Sequence, residues 1–226
     1  MNTYINKKTI IVFCGAILCI LLIWLSGLGF GNEIRLSELL GIKFLGSALY
    51  LGTWFTMIAM AVVGFGIPFL IIHFVFKEKI QDYGFSLGDI KTGLIWLMIL
   101  LPASVLGPLV SAYIGTDNYY TYLKDPNFLK PLHIAIHSVS YLALAFGFEF
   151  LFRGFVLFGL NQGMGNTKTS KWIAAFLSGV LAVFCLFSLP WTFAAAAFLS
   201  SIAAGFLNFK TRSFIYLALM HWSTGI

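Results

Sequence analysis

Charge is scarce in this sequence. Asp, Glu, Lys and Arg make up 10% of the 226 residues, and only eight of them are acidic. So little polar surface cannot cover a soluble globule of this length, which excludes an ordinary water-soluble domain. Cysteine is rare as well. Cys14, Cys19 and Cys185 all fall inside apolar runs and form no Cys-x-x-Cys pair. The sequence therefore offers neither a loop-stapling disulfide framework nor a cysteine metal set, and the three read as packing residues. The net charge of +6 comes from basic residues scattered singly and in pairs between apolar runs. A nucleic-acid-binding face would cluster them. Scattered this way they read as membrane orientation signals, and no nucleic-acid partner is expected.

What the chain has in quantity is apolar: 60% hydrophobic residues and a mean hydropathy of +0.93, the composition of an integral membrane protein. At about 20 residues per helical span there is room for roughly six to eight spans and no separate soluble domain. Residues 1–226 thus read as one all-α polytopic bundle. Apolar stretches at 9–29, 48–76, 93–115, 132–160, 172–189, 191–208 and 213–226 predict seven spans. The first follows Lys7 and Lys8 and carries LSGLGFG near a plausible cleavage point, yet its apolar run is long for a signal peptide and no A-x-A site appears, so a retained span is expected. The segment NEIRLSELLGIKFLG spaces its charges among leucines and predicts an amphipathic helix lying at the interface. The last stretch, Ser213 to Ile226, is short for a full crossing; either the chain ends in the outer half of the membrane or it continues.

Orientation follows from the basic residues in alternate connections. Lys7, Lys8, Lys77, Lys79, Lys91, Lys168, Lys171, Lys210 and Arg212 fall on one side; Arg35, Lys43, Lys124 and Lys130 fall on the other. The richer side is expected in the cytoplasm, giving a multi-pass cell-membrane protein with a cytoplasmic N-terminus.

Against this background residues 147 to 158, GFEFLFRGFVLF, stand out. Glu149 and Arg153 are four apart, on one helix face and close enough to pair. An ionised side chain at bilayer depth costs at least ~2.5–3.5 kcal/mol on insertion scales, so the pair should face the bundle interior. Two readings are open at this point: a pair that locks helix register, with Arg153 snorkelling to the surface, or a buried acid with a chemical task. His133 and His137 share the same spacing, which can present two nitrogens to a metal, but no third ligand convinces beyond Asp117 or Asp125, and both read as interfacial polar residues. His73, just before Lys77, reads as an interface residue too.

The stretch FEFLFRGFVL resembles the first motif of the CPBP family, the CAAX proteases and bacteriocin-processing (Abi-like) enzymes, intramembrane endopeptidases that show E-E-x-x-x-R-G followed by apolar residues. FCLFSLP, from Phe184 to Pro190, is similar to the family's second motif, F-x-x-x-H, and LMHWSTG, with His221, to its third, H-x-x-x-N or H-x-x-x-D. The connection KEKIQDYGFSLGDIKTG also has the character of the family's cytoplasmic loop, so the family-like core covers residues 77 to 226. The match departs from the pattern at three places: the first glutamate falls on Phe148, the second-motif histidine on Ser188, and the third-motif asparagine or aspartate on Gly225.

The resemblance implies an endopeptidase that cleaves a peptide or membrane-associated protein substrate near the cytoplasmic leaflet of the bilayer, with Glu149, Arg153, His221 and Ser188 as site residues. It implies no cofactor, and the ligand set does not support a divalent metal. In the family a glutamate and a histidine activate water while the third-motif polar pair stabilises the oxyanion. Glu149, the carboxylate that lies within a span, is then the expected base, although the charge of Arg153 makes it weaker than an unpaired buried glutamate. Ser188 can hold a water but cannot act as an acid or base near neutral pH, and His221 is a base partner or an oxyanion donor. The three departures keep a second reading open, a non-catalytic relative that binds such substrates or confers bacteriocin immunity. A small transporter using the same polar residues is a third reading; no inverted repeat or matched pair of broken spans supports it.

Overall fold

The computed structural model describes residues 6–25, 54, 57–113, 130–186 and 191–224, and among these every regular element is helical. The helices are α1 (Lys7–Leu25), α2 (Met57–Phe76), α3 (Ile90–Tyr113), α4 (Pro131–Gly163), α5 (Lys168–Cys185), α6 (Trp191–Thr211) and α7 (Ile215–Ser223). Two stretches of α2, Val62–Gly66 and Ile71–Phe76, and one of α4, Phe150–Val156, wind as π-helix. The expected interfacial helix, Ser188, Gly225, Asp117 and Asp125 lie outside the described residues.

Local chemistry sets the boundaries. α4 opens on Pro131, whose missing N–H costs nothing in a first turn. Past Gly163 the chain turns through left-handed backbone at Gly165 and Asn166, with φ of 89° and 56°. α5 then starts on a capping box: Ser170 N–H donates to Thr167 Oγ1 at 3.0 Å and Thr167 N–H donates to Ser170 Oγ at 2.7 Å.

α4 is the axis of the bundle. From Leu144 to Gly163 every residue but Phe146 and Gln162 is buried, and at 1.5 Å per residue the 33 residues of α4 run about 50 Å, longer than a hydrocarbon core of about 30 Å. α1, α2, α5, α6 and α7 all pack on it, while α3 packs on α6 and α7. The lipid-grade sequence of residues 144–163 is therefore shielded from lipid by other helices, while Leu132, Ile134 and Val139 nearer the start of α4 are exposed.

Polar contacts tie one end together. Lys8 Nζ donates to Glu78 Oε1 at 2.8 Å and to Gln162 Oε1 at 2.6 Å; Tyr83 donates to Glu78 Oε2 at 2.6 Å, and Gln162 Nε2 to Asp82 O at 2.9 Å. Asp89 N–H donates to Thr211 O at 2.8 Å, and the Tyr216 hydroxyl to Leu87 O at 2.7 Å. The start of α1, the connection after α2, the end of α4 and the α6–α7 turn thus share one end. Burial works to raise the Glu78 carboxyl, but the hydrogen bonds from Lys8 and Tyr83 and the Lys8 charge outweigh it and hold the group below its ordinary range. This end carries the basic connections expected on one side, and Lys130 begins α4 at the opposite end.

Among the described residues four helical segments are long and apolar enough to cross a membrane: Lys7–Trp24, Met57–Phe76, Pro131–Gly163 and Lys168–Cys185, with a shorter apolar helix at Ile90–Pro102. The remaining stretches of the expected seven are helical as α3, α6 and α7. Cys19 and Cys185 are buried packing residues as expected; Cys14 is exposed, and all three thiols are free.

A close helix crossing lies next to Glu149 of α4. A Cβ at Gly147 would stand 2.6 Å from Ala61 Cα, and one at Gly64 would stand 2.7 Å from Gly147 O, so α2 and α4 touch backbone to backbone. Gly147→Val forces two rigid backbones apart and is expected to cost about 1–3 kcal/mol or more in detergent-solubilised protein, read as a lower thermal midpoint. Gly66→Ala, where an added Cβ meets nothing within 4 Å, leaves the midpoint unchanged or slightly raised. Equal effects of the two substitutions would contradict the crossing.

Candidate active site

The site grows out of the middle of α4, where every residue from Gly147 to Val156 is buried. Over Phe150–Val156 the chain leaves the regular α-helical ladder, and Phe152 O accepts a hydrogen bond from Ser178 Oγ of α5 at 2.8 Å. Ser178 is itself only 1% exposed. A π-type segment inside a buried helix is a frequent mark of a functional position, and here it starts immediately after Glu149.

Glu149 is 5% exposed and both of its oxygens face a cation or an imidazole. Oε1 lies 3.0 Å from His221 Nδ1 of α7, and Oε2 lies 3.4 Å from Arg153 Nε. Arg153, equally buried, donates from Nη2 to Ser201 Oγ of α6 at 2.7 Å, and its guanidinium carbon stands 5.5 Å from the Phe148 ring centre. Three helices therefore supply a chain that runs Ser201, Arg153, Glu149, His221: α6 gives the first, α4 the middle two and α7 the last. A carboxylate can only accept, so with Glu149 ionised the hydrogen of the imidazole sits on Nδ1 and the lone pair on Nε2. The His221 side chain is 24% exposed, which makes it the accessible end of the chain.

Aromatic rings and backbone hold the imidazole in place. Phe148 packs edge-on at 5.4 Å and Tyr141 edge-on at 5.8 Å between ring centres. The Tyr141 hydroxyl is 3.4 Å from Thr224 Oγ1, which donates to His221 O at 2.6 Å. One residue on, Trp222 Nε1 donates to Ser138 O at 2.9 Å and fixes α7 against α4.

Of the residues singled out in the sequence, Glu149, Arg153 and His221 come together, and Arg153 points into the bundle rather than snorkelling to its surface. Phe148, at the position of the family's first glutamate, is buried and contributes only its ring. His137 corrects an expectation: it is 3% exposed, stacked on Tyr141 at 6.0 Å, and so belongs to the interior rather than to the interface. His133 packs edge-on to Trp54 at 5.7 Å. Among the described residues no group of three or more His, Cys, Asp or Glu side chains is arranged to hold a metal ion. Sequence reasoning missed Ser178, Ser201 and Tyr141. The only signal for the serines was a hydroxyl in a predicted span, a common occurrence with many backbone partners available.

Residues 130–226 match the family model described as type II CAAX prenyl endopeptidase, Rce1-like. The matched region carries Glu149, Arg153 and His221, so the motif resemblance extends to a match with this family over that part of the chain. No curated protein and no solved structure matches the chain. The match and the apolar helices together support a membrane protein that is similar to the CAAX proteases over residues 130–226.

The ion pair makes a direct prediction. Arg153→Met leaves a buried carboxylate without its permanent counter-charge and is expected to cost about 3–5 kcal/mol in thermal unfolding. Adding Glu149→Gln to that variant should recover most of the loss. A single substitution without effect, or a double variant worse than the single, would contradict the pairing.

Proposed function

We propose that the chain is an intramembrane endopeptidase of the CAAX-protease type, cleaving a peptide or protein substrate near the cytoplasmic leaflet, with its N-terminus in the cytoplasm and seven membrane crossings. The observation that carries this reading is the 3.0 Å contact between Glu149 and His221 inside a bundle whose matched family is named for endopeptidases. The gathering of the lysine-rich connections at one end of the bundle supports the orientation.

The geometry favours a division of labour different from the one expected of the sequence. Glu149 is buried and has both oxygens engaged, whereas the imidazole is partly open. His221 Nε2 is accordingly the group that takes a proton from water as it attacks the scissile carbonyl, and Glu149 fixes the tautomer and stabilises the imidazolium. When the tetrahedral intermediate collapses, the proton on Nε2 passes to the departing amine, and one water has been added across one peptide bond. Arg153 supplies the counter-charge to the Glu149 carboxylate. With Gly225 at the third-motif polar position, the Tyr141 hydroxyl, beside the same imidazole, is the side-chain group best situated to donate to the oxyanion.

A second reading has its own observation. Phe148 replaces a carboxylate with a ring packed against both Arg153 and His221, which suits a relative that binds the peptide and does not cut it.

Incubation of the purified protein in lipid bilayers with a prenylated CAAX peptide separates these readings. Cleavage is expected, falling by about 10²–10⁴ in Glu149→Gln and His221→Ala, with partial rescue of His221→Ala by added imidazole. Tyr141→Phe should lower kcat by on the order of 10² with little change in KM. Full activity in Glu149→Gln overturns the assignment; binding without cleavage in the unaltered protein selects the second reading.

A further inference from the structure

A second feature lies away from the Glu149 site, where the chain leaves α2. The apolar span of α2 ends at Phe76, directly before Lys77, Glu78 and Lys79, and charged residues flanking such a span lie at the level of the lipid headgroups. There the structure holds an open cavity of about 390 Å³ lined by Phe69, Ile72, His73, Lys77, Glu78, Lys79, Ile80 and Gln81. One wall is apolar and the other carries two ammonium groups and an imidazole.

Charge at this cavity is unbalanced in a specific way. Glu78 is the single acid in the lining, and it is already engaged by Lys8 and by the Tyr83 hydroxyl. Lys77 and Lys79 are exposed, and among the described residues neither takes part in an ion pair. Lys77 also adopts a left-handed backbone, φ 55° and ψ 38°, an arrangement costly for a residue with a Cβ, and its N–H closes the last turn of α2 on Ile72 O. That turn sets both lysines on the rim of one cavity. His73 is held between Phe69, parallel at 5.7 Å, and Phe74, edge-on at 4.7 Å. On the adjoining membrane-facing surface Leu70, Phe74 and Val75 are 52%, 64% and 55% exposed.

We propose that this cavity is a binding site for a phosphate-bearing amphiphile, an anionic phospholipid whose headgroup is held by Lys77, Lys79 and His73 while its acyl chains run along Leu70, Phe74 and Val75. The apolar surface leading out of the cavity is what favours a lipid over a free phosphate, since a small anion would leave it without use. The site is independent of the peptidase reading: it lies at the end of α2 and shares no residue with Glu149, Arg153 or His221.

The test uses the full chain in bilayer discs of phosphatidylcholine with graded phosphatidylglycerol, with the lipids that remain bound counted by native mass spectrometry after detergent release. Preferential retention of phosphatidylglycerol is expected, and Lys77→Gln with Lys79→Gln should reduce that preference by about fivefold or more. The control, Lys168→Gln with Lys171→Gln, removes the same charge from the same end of the bundle outside the cavity and should leave the preference in place. Equal retention of the two lipids overturns the proposal, as does an equal loss in the control, which would mean general surface charge. Displacement of the retained lipid by millimolar inorganic phosphate would overturn the lipid assignment in favour of a free anion. A thermal midpoint matching that of the unaltered protein verifies that both double variants are folded when read.

Discussion

A carboxylate cannot be taken out of water without compensation, and Glu149 is 5% exposed at the centre of a membrane-grade bundle. Much of the surrounding arrangement answers that constraint. Arg153 supplies a permanent charge one turn away on the same helix, Ser201 of α6 accepts a hydrogen bond from that guanidinium, and His221 reaches the second oxygen from α7. Each compensating group sits on an element that has to be in register with α4, so one buried charge fixes the relation of three helices. Desolvation also strengthens the contacts it demands, because each is made in a medium of low dielectric.

The backbone of α4 is shaped to the same end. Gly147 lets α2 approach until the two main chains touch, just before Glu149, and the π-type stretch begins just after it, pinned by Ser178. The acid thus sits at a junction between a tight crossing and a widened turn. A helix packed on five sides can hold such a distortion, since its carbonyls find donors within protein where lipid offers none.

How much of this could be read from the letters depends on whether a signal was local. The membrane class and the helical stretches follow from apolar runs, which need no tertiary information. Glu149 and Arg153 were legible because two full charges in such a run demand a reason, and His221 because its surroundings are similar to a family motif. Their meeting across 72 residues was only an expectation until the packing of α7 on α4 was known. Ser178, Ser201 and Tyr141 stayed hidden, since a hydroxyl in a helix carries no sign of its partner. His137 was misjudged because its polarity suggests an interface, whereas the stacked ring of Tyr141 buries it. The exchange of roles proposed for Glu149 and His221 was illegible for a further reason: exposure, which decides which of the two meets water, is a property of the fold.

The account rests on the link between Glu149 and His221, and a double-mutant cycle measures that link without relying on any substrate. Unfolding free energies are compared in the same bilayer for the unaltered protein, Glu149→Gln, His221→Asn and the pair. A coupling of about 1 kcal/mol or more between the two positions is the predicted result for a buried, charge-assisted hydrogen bond. Additivity within about 0.3 kcal/mol would mean that acid and imidazole do not act on each other, and would contradict the site as described.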